Sequence, residues 1–258
     1  MTPATIERLL QLNRDFYQRV ATNFDETRGG LPMGWRRLQP WFPKTQGRAL
    51  RILDVGCGNG RFAWLLDEWT INTSYVGIDA DAQLLALAAD HARPLSQVKT
   101  SFRQADFTTP TWLADAQLRA DTFDLVVCFA ALHHVPSRAL RQRLLQDLAQ
   151  LVTADGVVIL SHWQFLSSER FVRKQIAWQT IGLTENDVEA GDALLPWQQG
   201  HYAVRYVHQT GLSEAQQLGA VANLRLIHDF FADGREGNLN LYTVYQVNRV
   251  RAENDEEL

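Results

Sequence analysis

Strand-like and helix-like segments alternate over most of the chain, which predicts an α/β fold on a mostly parallel sheet. Two observations carry this. Ala49, Leu50, Ile52, Leu53 and Val55 form an apolar run interrupted by Arg51 and closed by Asp54 and then Gly56, which reads as a strand buried on both faces. It passes through Asp54 into a glycine-rich turn, Gly56-Cys-Gly-Asn-Gly60, and then into helical spacing from Arg61 to Trp69. The second observation is repetition: Tyr75–Asp79, Ser101–Phe107, Phe123–Ala130 and Gly156–Trp163 read as four more strands. Leu224–Phe231 and Leu239–Val247 read as a closing antiparallel pair across the turn-rich link that starts at Ala232.

At 258 residues, with 46% hydrophobic and 21% charged residues, the chain suits a single domain over residues 1–248. Within it a helical cover is expected over 1–45 and a substrate-side insertion or lid over 164–210, with a flexible tail over 249–258. No run approaches the ~20 apolar residues of a membrane span. Glu7, Arg8, Asn13, Arg14 and Asp15 interrupt any leader-like pattern, so no membrane partner and a cytoplasmic location are expected. Cys57 and Cys128 have neither disulfide-framework nor zinc spacing, read as small core residues, and leave no metal site to assign. A formal charge of −4 gives no global attraction to nucleic acid. Arg36-Arg37 and the group Arg138, Arg141 and Arg143 read as helix-surface charges, with phosphate binding as the alternative.

The elements follow in order. Ile6, Leu9, Leu10, Asn13, Phe16, Tyr17 and Val20 keep i, i+3, i+4 spacing, so the chain opens with an amphipathic helix, followed by a polar segment from Ala21. Asp79 closes the second strand of a βαβ unit, where a carboxylate accepts both hydroxyls of a ribose, while Asp81 suits the cap of the next helix. Asp106 and Phe107 end the third strand; Phe107 either stacks on a ligand or joins the core. Leu132-His133-His134 follows the fourth strand, at the sheet corner where open α/β sheets bind ligands. Ser137–Val152 reads as an amphipathic helix, a second lies around Phe171–Trp178, and a third near Ser213–Val221.

The glycine spacing selects the ligand. A dinucleotide fingerprint needs a small residue three places after the second glycine, and here that place holds Arg61. The pattern Asp54-x-Gly56-x-Gly58-x-Gly60 instead resembles motif I of class I S-adenosylmethionine-dependent methyltransferases, which implies their seven-stranded Rossmann-like sheet and S-adenosyl-L-methionine as cofactor. By that resemblance Asp54, Gly56, Gly58 and Gly60 meet the methionine part, Asp79 the ribose and Asp106 the adenine.

A narrower resemblance runs through most of the chain. Phe24-Asp-Glu-Thr27-Arg28 then Trp35, the Gly-Cys-Gly-Asn-Gly turn with Arg61, and Leu132-His133-His134 are similar to the tRNA methyltransferases that esterify a carboxymethyl group on the wobble uridine. So are Asp192, the Pro196-Trp197 turn and Arg205-Tyr206-Val207-His208. Val207 stands where that family has a second tyrosine, and the segment from Arg235 to Tyr242 matches its tryptophan-bearing end loosely. The resemblance implies a tRNA substrate, a small zinc-binding activator protein as partner, and Arg28 reaching the carboxylate of the cofactor.

A carboxylate acceptor is already ionised near neutral pH and needs orientation rather than a base. Arg205 suits that role by forked hydrogen bonds, and motif position favours His133 over His134 as a second donor. The alternative is a small-molecule O- or N-methyltransferase in which one of these histidines is the general base, under a lid rich in Trp163, Phe165, Trp178 and Trp197. A cofactor-binding scaffold without turnover is the third reading.

Overall fold

The computed structural model describes residues 1–26, 30–198 and 202–248. The chain starts with α1 (Pro3–Glu26) and the short α2 (Met33–Arg36), then enters β1 (Leu50–Val55), α3 (Arg61–Glu68), β2 (Thr73–Asp79) and α4 (Ala82–Ala92). Next come β3 (Val98–Gln104), α5 (Trp112–Asp115), β4 (Phe123–Cys128), α6 (Arg138–Leu151) and β5 (Val152–Trp163). The last third holds α7 (Glu169–Val172), β6 (Asp192–Trp197), β7 (Ala203–His208), α8 (Leu212–Val221), β8 (Leu224–Ala232) and β9 (Asn240–Val247).

Seven strands form one sheet in the order β3-β2-β1-β4-β5-β9-β8. β1 to β5 pair in parallel, and β9 runs antiparallel to both of its neighbours, β5 and β8. Side chains alternate between two cores because successive Cβ atoms point to opposite faces. Leu53, Val55, Val126 and Cys128 face Leu144 and Leu148 of α6 and Leu218 of α8. Leu50, Ile52, Leu125 and Val127 face Phe62, Leu65 and Leu66 of α3, together with Trp35 and Leu38. Strand order reverses between β1 and β4, which opens a crevice at their carboxyl ends.

Outside the sheet, β6 and β7 form a two-stranded hairpin against which α1 packs through Leu9, with Leu194 and Tyr206 in the same cluster. Asn13 of α1 sews the join: its Oδ1 accepts from the Tyr206 amide at 2.8 Å and its Nδ2 donates to the His134 carbonyl at 3.2 Å. The hairpin is anchored below by a buried ion network. Arg141, 1% exposed, donates to Glu189 and Glu214 at 2.8 Å each. His208 sits between Asp192 and Glu214 at 2.7 and 2.9 Å, and Tyr206 donates to Asp192 at 2.7 Å. Burial works against the charge of His208, but its two carboxylate partners outweigh that and raise its pKa. Glu189, Asp192 and His208 lie close enough to hold an ion, yet each is already engaged within the network.

Five expectations need correction. The first helix continues to Glu26 instead of yielding to the polar segment at Ala21. The third strand stops at Gln104, because Asp106 Oδ1 accepts from both the amide and the hydroxyl of Thr108 and turns the chain off the sheet. No helix spans Phe171–Trp178: α7 ends at Val172, and Ile176 is drawn into a bridge with Leu194. Pro196-Trp197 ends a strand instead of forming a turn, with Pro196 near the end of the hairpin where β6 leads into β7. Arg141 is not a helix-surface charge but the buried centre of the network. Residues 249–258, expected as a flexible tail, lie outside the described residues.

Candidate active site

At the end of β1 the backbone turns sharply. Gly56 has φ +75°, and a Cβ there would stand 2.5 Å from the Ala131 Cβ on the loop after β4. Only glycine allows both the left-handed conformation and this approach of β1 to the neighbouring loop. The turn is held by amides of Gly56 and Cys57 donating to the Ile78 carbonyl at 2.8 and 3.0 Å. The Gly58 amide donates to Asp79 Oδ2 at 2.9 Å and the Asp81 amide to Asp79 Oδ1 at 3.0 Å, so Asp79 ties the end of β2 to the glycine turn. Asp54 accepts from the Tyr75 hydroxyl at 2.6 Å. Asp54, Gly56, Cys57, Gly58, Asp79 and Asp81 line a cavity of about 340 Å³, within the usual size range of small-molecule sites.

The cavity is acidic. Asp54, Asp79, Asp81 and Asp106 line it against Arg14 and Arg61. Burial pushes the Asp54 carboxyl up to about 7; the Tyr75 hydrogen bond opposes the shift and the nearby Asp79 charge adds to it. Burial likewise pushes Asp79 up to about 6 against the stabilising amides of Asp81 and Gly58. Two carboxylates that resist ionisation, Asp54 buried and Asp79 half-buried, suit a ligand bearing positive charge. The Cys57 thiol, pushed well up by burial, is no nucleophile here.

α1 roofs this cavity. Arg14 lies 3.7 Å from Asp106, and Tyr17 donates to or accepts from His134 Nε2 at 2.7 Å. His134 Nδ1 lies 3.1 Å from the Tyr206 carbonyl. Ala130, between the cavity and β4, carries φ +51°, a conformation costly for a residue with a side chain, and its amide donates to Ser161 Oγ at 2.8 Å.

Of the sequence-assigned residues, Asp54, Gly56, Gly58, Asp79 and Asp106 meet at the cavity. Gly60 does not line it: a Cβ there would stand 3.0 Å from the Ala88 Cβ, so it serves the packing of α3 against α4. His133 and Arg205 also lie off the cavity wall, and His134 lines it in place of His133. The His133 ring sits 4.2 Å from that of His134 and 5.5 Å from that of Trp163. The Arg205 guanidinium, on a residue 9% exposed, stands 4.9 Å from the ring of Trp163, 5.2 Å from Phe16 and 5.7 Å from Trp197. Arg28 lies outside the described residues. Tyr206 is fully buried, its hydroxyl donating to Asp192. Asn13, Arg14, Tyr17 and Phe107 were not assigned to the site from the sequence, yet all four line the cavity. The signal for the first was there: a polar Asn13 inside an otherwise apolar helical stripe.

The order of the sheet, the glycine turn and the carboxylates at the strand ends define the class. Residues 52–156 match the family model described as a methyltransferase domain. Residues 52–156 are thus similar to a methyltransferase domain, and the sheet that holds them has the seven-stranded Rossmann-like fold of class I S-adenosylmethionine-dependent methyltransferases. Among curated proteins it is similar to the ubiquinone biosynthesis O-methyltransferase of Leptothrix cholodnii, 30% identical over 47% of this chain and 48% of that protein. It is also similar to the probable tRNA methyltransferase 9B of Bos taurus, 22% identical over 80% of this chain and 36% of that protein. The tRNA (carboxymethyluridine(34)-5-O)-methyltransferase of Arabidopsis thaliana is 23% identical over 57% of this chain and 31% of that protein. The chain thus spans about half or less of the length of these relatives. In fold it matches the 1,6-didemethyltoxoflavin-N1-methyltransferase of Burkholderia thailandensis, with TM-score 0.65 and 14% identity over 95% of this chain and 91% of that one.

The residues present fit S-adenosylmethionine. The acidic cavity answers its sulfonium and ammonium charges, and Asp79 stands at the end of β2 where a ribose diol is bound. A pH dependence follows. A raised carboxyl costs the unliganded fold stability as pH rises through about 6 to 7, whereas binding uses the ionised form. Acidification therefore relieves the free protein and weakens the complex. Calorimetry is expected to give an affinity at least about tenfold lower at pH 5 than at pH 8, since one pH unit below the Asp79 pKa leaves about a tenth ionised. An affinity unchanged over that interval would remove Asp79 and Asp54 from the binding account.

Proposed function

We propose that the protein transfers the methyl group of S-adenosylmethionine to an oxygen or nitrogen of a small molecule admitted at the His134 end of the cavity. The observation that carries this reading is the cavity: acidic at the strand ends and apolar at Leu10, Trp35, Phe129 and Ala131. Its acidity and the chain charge of −4 oppose a polyanion, while an uncharged, partly apolar acceptor meets no such barrier. The similarity to an O-methyltransferase of ubiquinone biosynthesis supports the same class of acceptor.

The cofactor supplies an electrophilic methyl group on sulfur. The protein holds donor and acceptor in line and keeps water out. Asp79, Gly58 and Asp54 set the donor side, α1 with Tyr17 and Arg14 closes the top, and Phe129, Ala130, Ala131 and His134 set the acceptor side.

A second reading rests on Arg205. A guanidinium boxed by Trp163, Phe16 and Trp197 is a fixed, weakly hydrated cation, suited to orienting a carboxylate. With the two tRNA methyltransferase similarities, it supports esterification of a carboxymethyl group on a tRNA wobble uridine, with a small zinc-binding activator as partner. Both readings are tested by incubating protein with methyl-labelled cofactor, total tRNA and a metabolite extract, then separating nucleosides from small molecules. Label in the metabolite fraction is expected. Label on an esterified uridine, lost in Arg205→Ala, would transfer the conclusion to the second reading.

A further inference from the structure

We infer that a second groove, walled by Arg51, Arg103 and Arg119, binds the phosphate group of a small molecule or free phosphate. It shares no residue with the acidic cavity, and the inference stands apart from the methyl-transfer reading. It starts from the strand faces. Arg51 of β1, Ser74 of β2 and Lys99 of β3 stand in register as one row across three parallel strands, so their side chains leave the sheet on the same face. Between β3 and β4 the chain forms only α5, four residues and about 6 Å long, which leaves the starts of these strands uncovered. Ser74 and Lys99 are accordingly exposed. The result is a groove of about 190 Å³ between the sheet and the segment that leads into β4.

Three arginines and no acid line it. Arg103 is held in place by Nη1, which donates to the carbonyls of Ala116 at 2.8 Å and Gln117 at 3.2 Å. Carbonyls orient a guanidinium without cancelling its charge. Arg51 donates to the buried Asp124 through Nε and Nη2 at 3.2 and 2.8 Å, while Arg48 donates to the same carboxylate at 2.8 Å. One anion against two cations leaves a positive charge at that wall. Among the described residues neither Arg103 nor Arg119 has an ion-pair partner. Anchoring the turn at Gln117 accounts for Arg103, but it does not call for Arg51 and Arg119 on the other walls.

The chemistry that answers this arrangement is a phosphate. Guanidinium forks match its oxygens, and Ser74 and Thr122, which also line the groove, bring hydroxyls. A groove lined by one sign of charge focuses the field, here in a chain whose formal charge is −4. That overall charge opposes a long polyanion, while a single phosphate group meets only the local positive walls. Because the bound group would touch β1, β2, β3 and the segment before β4 together, it stabilises the folded chain by mass action.

The test titrates the full chain, labelled with nitrogen-15, with inorganic phosphate and with glycerol 3-phosphate, against sodium chloride matched in ionic strength. Saturable shifts of the Ser74, Arg103, Gln117 and Arg119 amides are expected with one or both phosphates and not with chloride; which probe binds more tightly tells free phosphate from a phosphorylated molecule. Arg119→Gln, which removes no ion pair of the described fold, should weaken binding at least about tenfold, the size of one charge-assisted hydrogen bond, with the melting curve in place. Arg103→Lys keeps the charge, loses the fork and should weaken binding too. Arg93→Gln, an exposed arginine outside the groove, should leave it unchanged. No saturable shift with either phosphate, or the same affinity in Arg119→Gln as in the unaltered chain, overturns the proposal. So does a short single-stranded RNA that binds where neither phosphate probe does.

Discussion

Asp79→Asn is expected to weaken S-adenosylhomocysteine binding on the order of 100-fold at pH 8, with thermal stability unchanged or raised. The two effects have opposite signs for one reason. Asp79 is half-buried in the cavity wall, and its pKa of about 6 means that the fold resists its ionisation. An amide of the same shape relieves that resistance while its oxygen can still accept from one of the two backbone amides, Gly58 or Asp81. The ribose, by contrast, loses a charged acceptor for its two hydroxyls. Hydrogen bonds to a charged group contribute about 1.5 kcal/mol or more each, and about 3 kcal/mol is roughly 100-fold in affinity. Calorimetric titration beside a melting curve checks both halves. A loss of binding that merely followed a loss of stability would mean that Asp79 is a structural tie and not a ribose acceptor.

Arg141→Leu is expected to give the largest loss of stability from a single substitution away from the sheet. The guanidinium is the buried cation shared by Glu189 and Glu214, with His208 and Asp192 next in line. Removing one partner of a buried ion pair leaves charge without compensation, which costs about 3–5 kcal/mol. Glu189 and Glu214 keep 27% and 20% of their side-chain exposure, so water recovers part of it and the lower end applies, about 3 kcal/mol. For a domain of this size that lowers the melting temperature by roughly 6–12 °C. Arg93→Ala, which removes an exposed pair with Asp90, is the control and should leave the melting curve in place. Equal melting of both variants would show that the network contributes geometry alone. Because the network anchors β6 and β7, Arg141→Leu should also loosen the hairpin against α1.

The sheet and the strand-end residues that gather at the cavity were legible residue by residue. Leu53 and Val55 on one face and Ile52 on the other can be read from a strand that is apolar at every position but Arg51 and Asp54, because a parallel sheet covered on both sides favours apolar residues on both faces. Gly56 and Gly58 mark the turn, and Asp79 the strand end, because close backbone approach demands glycine there and the turn amides demand an acceptor. Gly60 belongs to the same spacing but is used against Ala88, a distinction that spacing cannot make.

The acceptor half was decided by contacts between segments far apart in the chain. Adjacent His133 and His134 look alike in sequence; only the placement of Tyr17, Asn13 and the Tyr206 carbonyl around His134 separates them. Arg205 carries the same charge on a surface, in a carboxylate clamp or in an aromatic box, and its neighbours Phe16, Trp163 and Trp197 come from three different elements. Arg141 reads as a solvated helix charge until Glu189 and Glu214 close over it. The sequence by itself therefore determined the α/β sheet, the glycine turn and the carboxylates that suit S-adenosylmethionine, since periodicity and local backbone demands act over a few residues. Tertiary structure alone decided which histidine faces the cavity, which arginine is buried and what roofs the site, since those depend on long-range packing that brings α1 and the hairpin together.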